Sequence, residues 1–189
     1  MKIISLYTNE KLLIKKAIAC NQQAQKLLYE KYAPKMLSVC RQYIKDRQFA
    51  EDVMVNGFVK VFQNLGTFQF KGSFEGWIRK IMVRESISYL RKKQFVVYDD
   101  ELCKSQAKEI GDSTDILDTE YVQQLIDKLP EGYKMVFLLY AIEGYKHQEI
   151  SNMLKISEGT SKSQLFKARK MLQENLTLKG MSPRIKSGD

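Results

Sequence analysis

Proline is scarce in this chain, with three residues in 189, and stretches that alternate apolar and polar residues are also rare. Most segments instead repeat apolar residues every three or four positions, a spacing that predicts amphipathic helices. The stretch FVVYDDE, which begins at Phe95, is the one segment that favours a short extended conformation. We therefore expect an all-α protein.

Patterns typical of metal centres, disulfide frameworks and enzyme sites are lacking too. Cys20, Cys40 and Cys103 are far apart, no Cys-x-x-Cys occurs, and His147 is the single histidine. This spacing argues against a zinc site and against paired cysteines. We expect reduced thiols, a surface position for His147, and no metal or other cofactor. Without a glycine-rich ATP loop or a catalytic dyad, we also expect no enzymatic activity.

Long apolar runs and acidic residues are both in short supply. No run approaches the roughly 20 residues that span a bilayer, and the first 16 residues lack the apolar stretch and cleavage site of a signal peptide. We therefore expect a cytoplasmic protein.

The 31 basic and 22 acidic residues give a net charge of +9, which predicts a polyanionic partner, either nucleic acid or an anionic membrane surface.

The acidic residues that do occur are concentrated between Asp99 and Glu120. This stretch has eight acids against two bases, a net charge of −6 that leaves +15 for the rest of the chain. A polar, weakly patterned segment between apolar-rich regions is typical of a linker. We therefore predict a helical domain over residues 1–94, an acidic flexible linker over 95–119, a four-helix domain over 120–176, and a disordered tail over 177–189.

The segment KISEGTSKSQLFKARKML, residues 155–172, predicts a two-sided helix. Ser157 is placed to cap it, because its hydroxyl can accept a hydrogen bond from a free N–H of the first turn. Glu158 then matches the positive end of the helix dipole. At about 100° per residue, one side forms a narrow seam that we expect to be buried. That seam consists of Ser161, Leu165, Ala168 and Leu172.

The opposite side of this helix is basic and includes one aromatic ring. A short amphipathic helix over residues 146–154, with Ile150, Met153 and Leu154 facing inward, precedes it across a tight turn at Lys155. The pair predicts a helix-turn-helix, whose second helix enters the DNA major groove. The alternative is an ordinary helical hairpin with a basic solvent face. The candidate DNA contacts are Ser157, Thr160, Lys162, Ser163, Gln164, Phe166, Lys167 and Lys170.

Earlier in the second domain, an apolar helix should begin near Pro130, whose missing N–H suits a first turn. It includes a continuous apolar run from Met135 to Tyr140. A helix that is apolar nearly all round is expected at the centre of a bundle.

The first domain has a helix with an unusual outer face, AEDVMVNGFVKVFQNL, residues 50–65. One side is apolar, with Ala50, Met54, Gly57, Phe58, Val61 and Leu65. The other side mixes valines with polar groups, a combination that suits protein docking. Scattered surface valines are the alternative reading. The candidate docking residues are Asp52, Val55, Asn56, Val59 and Gln63.

Aromatic and basic residues alternate over residues 67–93. Such interleaving suits single-stranded DNA, because bases stack on rings and phosphates pair with cations; a loop of this kind can also hold a flipped-out base. The alternative is that most rings are core, which we expect of Phe74 and Trp77 in particular. The candidate residues are Phe70, Lys71, Gly72, Ser73, Lys80, Arg84, Ser88, Arg91 and Lys92.

In this order, the elements resemble a bacterial RNA polymerase sigma factor of the extracytoplasmic-function (ECF) class. The resemblance covers residues 22–174 and rests on LLYEKYAPKML, AEDVMVNGFVKVF, FKGSFEGWIRKIMVRESISYLRKK and the helix-turn-helix domain. It implies that the Asp52–Gln63 face binds the β′ clamp of core polymerase and that the second domain also meets the β flap. It further implies that the aromatic loop and following helix open and read the −10 region and that the basic helix reads the −35 duplex. The linker would occupy the RNA-exit path, and an anti-sigma factor, often membrane-anchored, would hold the protein inactive.

Four positions depart from the family pattern. Val55-Asn56 replaces the usual Gln-Glu pair, and Lys155 replaces the usual turn glycine, which places a lysine at a positive φ. Gln164 replaces a frequent arginine and can read adenine instead. Two other classes stay open: a stand-alone helix-turn-helix regulator that dimerises on a palindrome, and a DNA recombinase with a helix-turn-helix tail, which would need an α/β domain with a nucleophile.

Overall fold

The computed structural model describes residues 10–97 and 119–177, and within these ranges every regular element is helical, as predicted. Contacts divide the chain into two units, Met1–Val96 and Val97–Asp189. The predicted linker and tail fall outside the described residues except at their ends. The first unit has α1 (Glu10–Ile18), α2 (Gln22–Tyr43), α3 (Arg47–Gln63), a 3-10 turn (Leu65–Thr67) and α4 (Phe74–Val97).

Short polar side chains start two of these helices. Asn21 accepts a hydrogen bond from the backbone N–H of Ala24 at 2.8 Å at the start of α2, and Asp46 accepts one from Phe49 at 3.1 Å at the start of α3. Each cap satisfies a donor that would otherwise lack a partner in the first turn. The caps therefore set where α2 and α3 begin, and so which side chains of α3 face outward.

The core of the first unit is built from the apolar sides of all four helices. Its most buried members include Ile14, Leu28, Met36, Phe58, Val61, Phe74, Ile78, Met82 and Val83. Gly57 lets α3 approach α4 closely, since a Cβ at that position would press against the Met82 sulfur. Every apolar residue predicted for the inner side of α3 is buried, so the predicted orientation of this helix is confirmed.

The prediction of an extended conformation from Phe95 is wrong for the first three residues of that stretch, because α4 continues as a helix to Val97. Neither glycine nor proline occurs between Gly76 and Val97. Each added residue therefore extends the ladder by one more backbone hydrogen bond, and this outweighs the slight helix penalty of two valines.

The second unit contains α5 (Thr119–Asp127), α6 (Glu131–Phe137), a π-helical turn (Leu138–Ile142), α7 (His147–Leu154) and α8 (Glu158–Thr177). Leu125, Ile126, Met135, Val136, Leu138, Leu139, Ile150, Leu165 and Ala168 form its core. The ammonium group of Lys134 is buried in an ion pair with Asp127, which joins α6 to α5. Four helices were predicted for this part of the chain, and four α-helices are described there.

The central apolar helix is less uniform than predicted. Met135, Val136, Leu138 and Leu139 are buried, but Phe137 is half-buried and Tyr140 is exposed. The backbone widens from α-helix to π-helix at Leu138, which changes the angle at which later side chains leave the axis. Pro130 lies at the N-cap, one residue before α6.

Candidate nucleic-acid interfaces

A left-handed residue makes the turn between α7 and α8. Lys155 has φ 56° and ψ 45°, so the prediction of a positive φ at this lysine is confirmed. Its N–H donates to the Ser151 carbonyl, and the N–H of Ile156 donates to the same carbonyl at 3.2 Å. Ser157 then caps α8, as predicted, by accepting from the N–H of Thr160 at 2.9 Å. These contacts form the helix-turn-helix geometry expected from the sequence.

The inner side of α8 agrees with the predicted seam. Ser161, Leu165 and Ala168 are buried, and Leu172 is half-buried. The Ser161 hydroxyl lies 2.9 Å from Nδ1 of His147, whose ring stacks on Tyr140 at 4.7 Å between centroids. His147 is thus half-buried and helps to hold α8 on α7, a role that the predicted surface position did not include.

The outer side of α8 is basic and exposed. Lys162, Ser163, Phe166, Lys167 and Lys170 all lie there, and Phe166 has 70% of its surface exposed. The Lys162 ammonium lies 2.8 Å from the Glu158 carboxylate, and this hydrogen bond and charge keep the pKa of Glu158 below its usual value. Most predicted DNA-contacting residues of α8 therefore share one solvent-facing surface.

Gln164 and Thr160 do not lie fully on that surface. Gln164 is half-buried, with its amide against Gly132 at the start of α6 and its Oε1 buried. The absence of a side chain at Gly132 leaves the space that this amide occupies. Thr160 is half-buried, and its hydroxyl lies 2.8 Å from that of Ser157. In this structure, the predicted contact of Gln164 with adenine would need the amide to turn outward.

Sequence reasoning missed Arg169 next to this surface. Arg169 is exposed, and its guanidinium carbon lies 5.6 Å from the centre of the Tyr140 ring. The Lys167 ammonium nitrogen makes a similar contact, 5.9 Å from the centre of the Tyr133 ring. Arg169 follows the buried Ala168, and its partner Tyr140 is 29 positions earlier, so the sequence contains no local signal for this pair.

The outer face of α3 is exposed as predicted. Val55 and Val59 keep 47% and 49% of their surface exposed, and Asp52, Asn56 and Gln63 are exposed as well. Phe49, one turn earlier, is 44% exposed and its ring centroid lies 5.8 Å from that of Tyr89 on α4. Phe49 was missed because the predicted helix began after it.

The aromatic residues before and within the start of α4 form one cluster. Phe74 is buried as expected, whereas Trp77 is only half-buried and its ring stacks on that of Phe74 at 5.8 Å and 16°. Phe68 is buried beside both rings, at centroid distances of 5.1 Å and 5.5 Å. The expectation that both Phe74 and Trp77 are core therefore holds fully only for Phe74.

Phe70 occupies a strained place in the loop. Its φ is 57°, a left-handed conformation that costs a residue with a Cβ roughly 1–2 kcal/mol. The ring is half-buried, with its centroid 4.9 Å from that of Phe68. Lys71, Gly72 and Ser73 follow and are exposed, and the Ser73 hydroxyl accepts a hydrogen bond from the N–H of Gly76 at 3.2 Å. The loop thus holds an aromatic ring near the surface at the start of a basic helix.

The candidate residues on α4 form a basic stripe, which consists of Lys80, Arg84, Ser88 and Arg91 and is followed by Lys92. Lys80, Arg84 and Lys92 are exposed, while Ser88 and Arg91 are half-buried. The loop and this stripe belong to the same unit and are joined without a break by α4. Rings and cations are therefore available along one continuous segment, as single-stranded nucleic acid requires.

In the described ranges, no group of three or more His, Cys, Asp or Glu side chains is arranged to hold a metal ion. Cys40 is buried, and burial raises the pKa of its thiol to about 11. Among the helices given above, none combines the length and the apolar character that crossing a membrane requires.

Family patterns match both units. The pattern for sigma-70 region 2 matches residues 28–96, and that for sigma-70 region 4 matches residues 119–172. RNA polymerase sigma factor SigV of Bacillus subtilis is 30% identical over 141 residues, which is 74% of this chain and 83% of that protein. The ECF RNA polymerase sigma-E factor of Escherichia coli is 23% identical over 180 residues, covering 88% and 94% of the two chains.

Solved structures share the fold. The sigma factor RpoE from Bartonella quintana, crystallised with the anti-sigma factor NepR, aligns with a TM-score of 0.53 at 21% identity and covers 81% of this chain and 96% of that one. CnrH in complex with the cytosolic domain of CnrY aligns with a TM-score of 0.50 at 19% identity, covering 89% and 97%.

Proposed function

This chain belongs to the ECF class of sigma-70 family RNA polymerase sigma factors. From that membership we propose which of its surfaces binds core polymerase and which surfaces bind the two promoter elements. A sigma factor is a non-enzymatic subunit that binds core RNA polymerase and directs promoter recognition and DNA opening. Two units, each with its own exposed surfaces, are what such a protein needs to bind two promoter elements at once.

The outer face of α3 is our candidate for binding core polymerase at the β′ clamp. It presents two exposed valines, Val55 and Val59, between the polar groups of Asp52, Asn56 and Gln63. Apolar area gives affinity and the surrounding polar groups give orientation at interfaces of this kind. Because Val55 replaces one member of the polar pair usual in the family, we expect this contact to depend more on apolar burial. The β flap would bind the second unit.

The Phe70 loop and α4 are our candidates for opening and reading the −10 region. Phe70 offers a ring on which an unstacked base can lie, and Lys71, Lys80 and Arg84 offer charges for the backbone. Unpairing a base costs a few kcal/mol, and stacking it on a ring returns roughly 1–3 kcal/mol. Binding energy alone is thus of the right size to open the duplex.

The outer face of α8 is our candidate for binding the −35 duplex. The exposed basic surface includes Lys162, Lys167 and Lys170, and Phe166 is the most exposed large hydrophobic side chain among the described residues. Lysines position the helix on phosphates, while Ser163 and the Phe166 ring can reach base edges, including a thymine methyl group. Ser157 and Thr160 lie at the end of α8 that enters the groove first.

We further propose that the protein acts in the cytoplasm, where core polymerase and promoter DNA are found, and that an anti-sigma factor controls it. One solved structure of the same fold, the sigma factor RpoE from Bartonella quintana, is a complex with an anti-sigma factor. An inhibitor that covers α3 or α8 would block polymerase or DNA binding by occupying the same exposed side chains.

The deciding experiment is transcription in vitro with purified chain and core polymerase on a random promoter library. We expect initiation from a subset that shares two sequence elements. Val55→Glu with Val59→Glu should abolish co-elution with core polymerase, because two charges would be buried against the clamp. Ile18→Glu, at a residue 39% exposed on α1, is the matched control and should retain binding.

A stand-alone regulator would give the opposite result. It would bind DNA equally well with Val55→Glu and Val59→Glu and would initiate nowhere on the library. DNA cleavage by the purified chain would instead favour a recombinase.

A further inference from the structure

Helix α1 lies outside the matched family pattern, which begins at residue 28, yet it packs on the first unit beside the aromatic loop. Leu13, Ile14 and Ala17 are buried and attach α1 to α2 and to the 3-10 turn at Leu65. The attachment is reinforced where the Lys31 ammonium lies 2.5 Å from the Glu10 carboxylate. Helix α1 is therefore an integral part of the first unit.

The exposed side of α1 reaches the loop through Lys11. Its ammonium nitrogen lies 5.6 Å from the centre of the Phe70 ring, within the range of a cation–π contact. Lys11 is exposed, Phe70 is half-buried, and no family pattern assigns a role to residue 11. A residue distant in sequence thus places a positive charge over the ring proposed above to receive a base.

The ammonium and a stacked base compete for the same side of the ring. A base that stacks on the Phe70 face under Lys11 must displace the ammonium, because the two cannot occupy one position. A cation–π contact at an exposed site is weak, so displacement is easy. The displaced lysine remains beside a nucleotide whose phosphate is negative, and its long flexible stem allows it to move there.

We propose that Lys11 is a nucleic-acid contact: it covers the Phe70 ring in the free protein and moves to a phosphate of the non-template strand when a base stacks. This inference rests on the function proposed above for the Phe70 loop. The local charge supports it, since α1 contains three lysines and one acid. The proposed −10 surface therefore extends from α4 and the loop onto α1.

The test uses holoenzyme assembled from full-length chain and core polymerase, on a promoter recovered from the random library. Open complex is measured by permanganate reactivity across a salt series for wild type, Lys11→Ala, Lys11→Arg and Lys16→Ala. Lys16 is the control because it is an exposed lysine of α1, about 140° round the helix from Lys11. Melting curves check that each variant folds.

Loss of one single-strand phosphate contact should lower the salt slope by about 0.7. Between 50 and 200 mM salt, wild type should therefore lose about 2.6-fold more open complex than Lys11→Ala. Lys11→Arg and Lys16→Ala should keep the wild-type slope. A Lys11→Ala slope equal to that of Lys16→Ala overturns the proposal, while failure of the wild-type holoenzyme to open any promoter overturns the proposed function itself.

Discussion

Replacing Lys155 by glycine should stabilise the helix-turn-helix, although the lysine is a native residue. At φ 56° the lysine Cβ crowds the backbone, which costs roughly 1–2 kcal/mol. Glycine removes that strain but has more freedom to lose on folding, a cost of roughly 0.5–1 kcal/mol. The net gain should be about 0.5–1 kcal/mol, since Lys155 is exposed and its backbone hydrogen bond to Ser151 is kept.

Hydrogen exchange measured by mass spectrometry on the full chain is the appropriate assay, because it reports the opening of α7 and α8 separately from the rest. A gain of this size should slow exchange of their amides by about 2- to 5-fold. Lys155→Ala is the control, since it removes the same charge and stem but keeps the Cβ. If Lys155→Gly and Lys155→Ala exchange at the same rate, backbone strain at the turn is not the cause and the reasoning fails.

Three further predictions concern the two units separately. Phe70→Ala should reduce promoter opening, seen by permanganate, while binding to the −35 duplex is unchanged; normal opening would remove Phe70 from the site. Lys167→Glu should weaken duplex binding with a shallower salt slope, and an unchanged slope would argue against docking of α8 in the groove. Lys134→Ala should cost about 3 kcal/mol in urea denaturation, because it leaves the half-buried Asp127 carboxylate without its ion pair and with Gln123 as its remaining side-chain donor. A loss below about 1 kcal/mol would mean that water replaces the lysine at this carboxylate.

Residue spacing predicted most of what depends on a single helix. The two sides of α3, the buried seam of α8 and the cap at Ser157 all follow from about 3.6 residues per turn and from local hydrogen bonding. The positive φ at Lys155 came instead from the family resemblance, because the family usually has glycine at this turn position.

Other features depended on distant residues and could not be read from spacing. Gln164 is half-buried because Gly132, 32 positions earlier, leaves room for its amide. His147 is half-buried because Ser161 and Tyr140 meet it from two other elements. Helix α4 continues into the first three residues of the predicted extended stretch, because neither glycine nor proline interrupts it after Gly76.

By itself, the sequence determined that the chain is helical, which side of each helix is apolar, and where the basic and aromatic residues are concentrated. Periodicity and charge are properties of consecutive residues, so no tertiary information is needed to read them. Only the tertiary structure decided which rings are buried, that Gln164 turns toward α6, and that Lys11 stands over Phe70. Those outcomes depend on how closely helices approach, which is set by the packing of side chains far apart along the chain.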